Sequence, residues 1–111
     1  GAEGMDKMKN IMTSLRENPP KEIAGMKVEK VYDYLTSEAT SLVDGSVEKL
    51  TLPKSNVLSY ALPGGNGAVI RPSGTEPKIK IYVTAVGKDR AASQALTDKI
   101  SADMKGFVGV E

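Results

Sequence analysis

A proline- and glycine-rich run at residues 63–67 constrains the fold more than any other part of the sequence. It reads Pro-Gly-Gly-Asn-Gly and lies between two apolar segments, 56–62 and 68–70, the first of which alternates in polarity. Glycine favours tight turns because it adopts backbone angles that are closed to other residues. Two strand-like segments around such a turn predict a β-hairpin, and therefore an antiparallel sheet.

Further strands are predicted on both sides of this hairpin. Residues 78–86 alternate between isoleucine, valine and alanine on one face and lysine, tyrosine and threonine on the other. Residues 26–34 alternate less regularly, and they also predict a strand. Residues 36–55 are polar and small, which predicts a long loop that includes a short edge strand around residues 47–52.

An amphipathic helix is predicted near each end of the chain. Residues 5–17 carry apolar side chains at helical spacing and end before a Pro-Pro pair, which the helical conformation avoids. A second helix is predicted over residues 90–105, with Asp89 as its N-cap and Gly106 as its stop. The fold class is therefore α+β, with an antiparallel sheet of about four strands and the helices on one face.

Composition limits the chemistry of the chain. Its 111 residues contain no cysteine and no histidine, so we expect no zinc site, and no Ser-His-Asp or Cys-His catalysis is possible. A net charge of +1 argues against nonspecific nucleic-acid binding. No apolar run reaches the ~18 residues of a membrane span, and no signal peptide is visible, so we expect a cytoplasmic protein without a membrane partner.

Residues 1–111 are expected to form a single domain, since domains cluster near ~100–150 residues. The chain begins with Gly1 rather than methionine, and we expect it to be one part of a longer protein.

The segment 71–77 carries the chemistry of this sequence. Arg71 offers a planar fork of donors, Ser73 and Thr75 offer hydroxyl groups, and Gly74 allows the backbone to approach a ligand closely. Successive amides of residues 73–75 would form an anion-binding nest. These features indicate a phosphate site, and none of them indicates a catalytic group. The alternative is an ordinary loop in which Arg71 is a solvated edge residue.

At this point the sequence resembles a known family. Residues 70–82, Ile-Arg-Pro-Ser-Gly-Thr-Glu-Pro-Lys-Ile-Lys-Ile-Tyr, are similar to the phosphate-binding loop in the C-terminal domain of the phosphohexomutase superfamily, phosphoglucomutase/phosphomannomutase branch. The resemblance implies a TATA-binding-protein-like arrangement of sheet and helices. Carried over residue by residue, it implies that Arg71, Ser73, Gly74 and Thr75 bind the substrate phosphate, with Lys78 as a weaker candidate.

The resemblance also implies a division of labour. Intact members have four domains, and the other three hold the catalytic serine, the magnesium site and the sugar-reading loop. The domain that this chain resembles would hold the phosphate of a hexose phosphate that is not reacting. It would be inactive alone and would need no cofactor of its own. The alternative hypothesis, from another class, is a self-standing nucleic-acid or protein interaction module on a similar sheet.

Overall fold

The computed structural model describes residues 2–109. The elements in chain order are α1 (Ala2–Glu17), β1 (Glu22–Ile23), β2 (Met26–Lys27), β3 (Lys30–Asp33), β4 (Glu38–Ser41), β5 (Val47–Lys49), β6 (Leu58–Ala61), β7 (Gly67–Pro72), β8 (Ile79–Thr84) and α2 (Arg90–Val108). Strands β3 to β8 form one antiparallel sheet in the order β5-β4-β3-β6-β7-β8, and β1 pairs separately with β2. The α+β class is confirmed.

The main sheet has six strands, so the prediction of about four is too low. The difference lies in residues 36–55, where β4 pairs with β3 along its whole length. Its sequence, Glu-Ala-Thr-Ser, gives almost no alternating signal, and backbone hydrogen bonds to β3 decide its conformation instead. The predicted edge strand is present as β5, over the shorter range Val47–Lys49.

The predicted strand over residues 26–34 is divided into β2 and β3. Val28 and Glu29 leave the ladder, and their amides donate to Lys21 and Ala61 respectively. The hairpin of β1 and β2, which lies between α1 and Val28, was not predicted from the sequence. Its turn is made by Ala24 and Gly25, both at positive φ (52° and 76°), as two-residue hairpin turns require.

Both helices are present, and their ends differ from the prediction. Helix α1 begins at Ala2. In α2 the Asp89 cap is confirmed, since its carboxylate accepts a hydrogen bond from the amide of Ala92. Gly106 does not stop α2, because the apolar stripe continues to the buried Val108, and the left-handed residue that follows the helix is Gly109 (φ 74°).

One apolar cluster joins both helices to one face of the sheet. Its members are buried and come from α1, α2 and alternate positions of the strands: Met8, Met12, Leu15, Val31, Leu58, Tyr60, Ala68, Ile70, Ile79, Ile100, Met104 and Val108, with Ile23, Val28 and Leu62 from the flanking segments. The opposite face of the sheet carries no helix among residues 2–109. The side chains of Arg71 and Lys80 lie on that open face, since neighbouring Ile70 and Ile79 point into the core.

Neither helix among residues 2–109 combines the length and the apolar character that a bilayer span requires.

Candidate functional site

The hairpin between β7 and β8 builds the site that the sequence indicates. Strand β7 extends to Pro72, so Arg71 and Pro72 lie in the strand rather than in the loop, which runs from residue 73 to residue 78. The loop is closed at its base, where the amide of Ser73 donates to the carbonyl oxygen of Lys78 at 2.9 Å. Arg71 is therefore held by a sheet ladder, and Ser73, Gly74 and Thr75 by a short connection that starts from it.

Ser73 organises the loop internally. Its hydroxyl oxygen accepts hydrogen bonds from the amides of Thr75 (3.3 Å) and Glu76 (3.2 Å). With its oxygen accepting two hydrogen bonds, the remaining capacity of this hydroxyl is to donate. A group that can only donate suits an oxyanion, which can only accept.

The predicted nest of amides at residues 73–75 is only partly available. The amide of Ser73 is bonded to Lys78 and that of Thr75 to the Ser73 hydroxyl. Of these three amides, that of Gly74 is the one without an acceptor in the described part of the chain. Gly74 does not have a positive φ, and a Cβ atom there would meet nothing within 4 Å. Neither the backbone angles at position 74 nor the neighbouring atoms therefore require a glycine there.

The site has three cationic side chains. Within residues 2–109, Lys78 forms an ion pair with a carboxylate, whereas Arg71 and Lys80 do not. Lys78 forms an ion pair with Glu76 at 3.1 Å, and both side chains are more than half exposed. Arg71 lies directly opposite Lys80 in the β7–β8 register.

Directly opposed side chains of an antiparallel pair lie on the same face of the sheet, with Cβ atoms about 4.5–5.5 Å apart. Two cations in that arrangement repel each other, and an anion between them removes the repulsion. The open face next to the loop is therefore suited to a small, doubly charged anion.

Sequence reasoning identified Lys78 as a ligand candidate and left Lys80 out. The signal for Lys80 lay in its position along the strand, because it lies on the polar face of β8 between the buried Ile79 and the half-buried Ile81. What the sequence did not provide was the register across the irregular loop. That register alone sets Lys80, rather than Lys78, opposite Arg71.

No acidic cluster suited to a metal ion accompanies this site. Across residues 2–109, no three acidic side chains gather at one point. Magnesium prefers several oxygen ligands, typically carboxylates and water.

Comparison with known proteins identifies the family. The phosphoglucomutase/phosphomannomutase C-terminal domain family matches residues 8–99. The chain belongs to this family. Phosphoglucomutases of Staphylococcus aureus strains MSSA476 and MRSA252 are 50% identical to it over 84 residues, or 76% of this chain.

Those 84 residues make up 15% of the length of each of these phosphoglucomutases, so the chain corresponds to a small part of the curated relatives. The family match spans both β7 and β8 and therefore the whole candidate site. No solved structure matches the chain.

Proposed function

We propose that this chain binds the phosphate group of a hexose phosphate, as the C-terminal domain of a phosphoglucomutase or phosphomannomutase that interconverts 1- and 6-phosphosugars in the cytoplasm. The observation that carries the proposal is the pair Arg71 and Lys80, opposed on the open face of the sheet beside a loop of donor groups. Family membership supports the same conclusion, because the matched family is defined on a domain of these mutases.

The proposed ligand residues contribute different interactions to the bound phosphate. Arg71 supplies a bidentate fork for two phosphate oxygens, and Lys80 supplies a point charge from the neighbouring strand. The Ser73 hydroxyl, the Thr75 hydroxyl and the Gly74 amide donate to the remaining oxygens. Lys78 contributes less than the resemblance implies, because Glu76 already neutralises it.

This set of donors recognises a phosphate group and does not recognise the sugar that carries it. In a mutase, the phosphosugar must be held in two orientations, by its 6-phosphate and by its 1-phosphate. A site that recognises only the phosphate accepts both. Binding energy at the phosphate that does not react positions the reacting end of the substrate against the catalytic groups.

The catalytic groups are proposed to lie elsewhere in the full mutase. With no histidine or cysteine in the sequence, the chain lacks the usual general base and the most reactive nucleophile. We propose that three further domains supply the phosphorylated serine, the magnesium ion and the sugar-reading loop. The isolated chain is then expected to show no mutase turnover.

Titration followed by ¹H–¹⁵N NMR tests this proposal. Glucose 1-phosphate, glucose 6-phosphate and inorganic phosphate should all shift the amides of Arg71, residues 73–75 and Lys80, and glucose should shift none of them. Arg71→Ala and Lys80→Ala should each weaken phosphate binding about tenfold, as expected for the loss of a charged hydrogen bond. Lys78→Ala is the matched control, and it should weaken binding much less.

Two results would contradict the proposal. One is the absence of any shift at residues 71–75 with high millimolar phosphate. The other is an equal loss of affinity in Lys78→Ala and Lys80→Ala, which would show that binding follows bulk charge rather than this geometry. Steeply salt-dependent binding of nucleic acid over the whole open face would favour the interaction-module alternative.

A further inference from the structure

The first turn of α1 touches the outer end of the proposed phosphate loop, and a glycine makes that contact possible. Gly4 is part of α1. A Cβ atom placed on Gly4 would lie 2.7 Å from the Cβ atom and 3.3 Å from the Cγ atom of Pro77. Real Cβ atoms essentially never come closer than 3.0 Å to another heavy atom of this kind. The helix and the loop therefore fit together only because residue 4 has no side chain.

The same two elements enclose a cleft beside this contact. Its volume is about 350 Å³, and its walls include Met5 and Met8 of α1 on one side and Pro72, Ser73 and Gly74 on the other. The start of α1 thus follows the inner side of the loop from Pro72 to Pro77. It lies on the helix-covered side of the sheet, opposite the open face that carries Arg71 and Lys80.

The helix is the firmer of the two partners. Met8 and Met12 are 7% and 0% exposed in the core, and they anchor α1 about one and two turns beyond Gly4. Residues 74–78 are exposed throughout, and few packing contacts hold them in place. A side chain at position 4 would therefore move Pro77 and the loop rather than α1.

Helix propensity gives no reason for glycine at this position. Glycine is the poorest helix former apart from proline, and alanine is the best. Substitution by alanine at a helix position without a steric constraint is expected to stabilise the fold. The steric contact with Pro77 is the feature of the described structure that accounts for Gly4.

We propose that Gly4 is a positioning residue for the phosphate loop: its missing side chain lets α1 set the position of Pro77 and, through it, of Ser73, Gly74 and Thr75. The role rests on the proposed phosphate binding. A larger residue at position 4 displaces the donors of the loop from Arg71 and Lys80, which the sheet keeps fixed. Displacements of about 1 Å are enough to lower the efficiency of a binding site strongly.

The test compares Gly4→Ala with Gly106→Ala, a glycine substitution in the other helix where an added Cβ meets nothing within 4 Å. In the free protein, Gly4→Ala should shift the amides of residues 73–75, and Gly106→Ala should leave them unchanged. Gly4→Ala should also weaken the binding of inorganic phosphate about tenfold, while its melting temperature stays at or above that of the wild type.

Variants at Pro77 separate steric positioning from other effects of Gly4→Ala. Pro77→Gly removes both atoms that a Cβ at position 4 would meet. In that background, Gly4→Ala should change neither the loop amides nor the phosphate affinity. Pro77→Ala keeps the nearer atom, so there the effect of Gly4→Ala should persist.

The outcomes that overturn the proposal are distinct from those that overturn the proposed function. If Gly4→Ala leaves the amides of residues 73–75 at their wild-type positions, the contact does not position the loop, whether or not phosphate binds. If the amides shift but phosphate affinity is unchanged, the contact has no role in binding. If the wild type binds no phosphate at all, the proposed function is wrong and the positioning role fails with it.

Discussion

The two ends of the main sheet differ in how far their side chains are buried. At the β6–β7–β8 end, the inward side chains Leu58, Tyr60, Ala68 and Ile70 are at most 2% exposed beneath the two helices. At the β4–β5 end, Val43 and Val47 are 79% and 56% exposed, and all three residues of β5 face solvent. The candidate site is built on the covered end. A site that must hold an anion in fixed geometry is thus supported by the part of the sheet that packs most tightly.

The largest expected difference between the two ends is in stability. Ile70→Ala should lower the free energy of unfolding by roughly 3 kcal/mol, because it removes buried methylene groups and leaves a cavity. Val47→Ala at the other end should change it by less than about 0.5 kcal/mol, as is usual for exposed positions. Urea unfolding of both variants measures the contrast. Similar losses in the two variants would show that the β4–β5 end is packed in solution as firmly as the rest.

A smaller effect is expected at the ion pair that joins α1 to β3 between the two ends. The Nε of Arg16 donates to both carboxylate oxygens of Asp33, at 3.1 and 3.0 Å, and the two side chains are only 15% and 16% exposed. Arg16→Ala should cost about 1–2 kcal/mol, between the values for exposed and for fully buried pairs.

Lys9→Ala, an exposed substitution on the same helix, is the control for the Arg16 variant and should be nearly neutral. In an Asp33→Ala background the cost of Arg16→Ala should shrink, because the partner is already absent. An undiminished cost there would mean that Arg16 stabilises through its apolar stem rather than through its charge.

The smallest expected effect is a local pH response in the exposed turn between β4 and β5. Hydrogen bonds from the hydroxyl and the amide of Ser46 hold the pKa of Asp44 below its usual 3.8. A lowered folded-state pKa contributes stability that is present above the unfolded value and is lost as the pH falls through the folded value. The turn should therefore loosen only below about pH 3.8.

An NMR titration of the Ser46 amide measures this response. Its midpoint should lie below pH 3.8, and Ser46→Ala should raise the midpoint toward the usual value for aspartate. Amides of β7 should not follow the same curve, because the turn lies at the far end of the sheet. A common midpoint for both regions would show that the two ends respond to pH as one unit.

The same contrast explains how much of the fold could be predicted from the sequence. Strands β6 and β8 alternate between core and solvent, and α2 carries a capping Asp89 and an apolar stripe. These signals are local, and they located the elements correctly. Strand β4 buries only Ala39, and a ladder with β3 defines it. Its partner is the strand immediately before it in the chain, across residues 34–37, and the polar, non-alternating sequence of β4 did not reveal that pairing.

The candidate site shows the same limit. The donors Arg71, Ser73, Gly74 and Thr75 follow one another in the chain, and their residue types were enough to single them out. Lys80 becomes a member through the β7–β8 register, and Gly4 through a packing contact with Pro77. Both depend on three-dimensional neighbours that composition and spacing do not reveal.

The opposition of Arg71 and Lys80 also bears on how the hairpin reaches its correct pairing during folding. If the register of β7 slipped by one residue, Ile70 would face solvent. The guanidinium of Arg71 would then enter the apolar layer beneath α1 and α2. Burying that charge without a partner is far more costly than exposing an isoleucine. The residue proposed to receive the ligand thus also selects the native alignment of the strand, long before any ligand arrives.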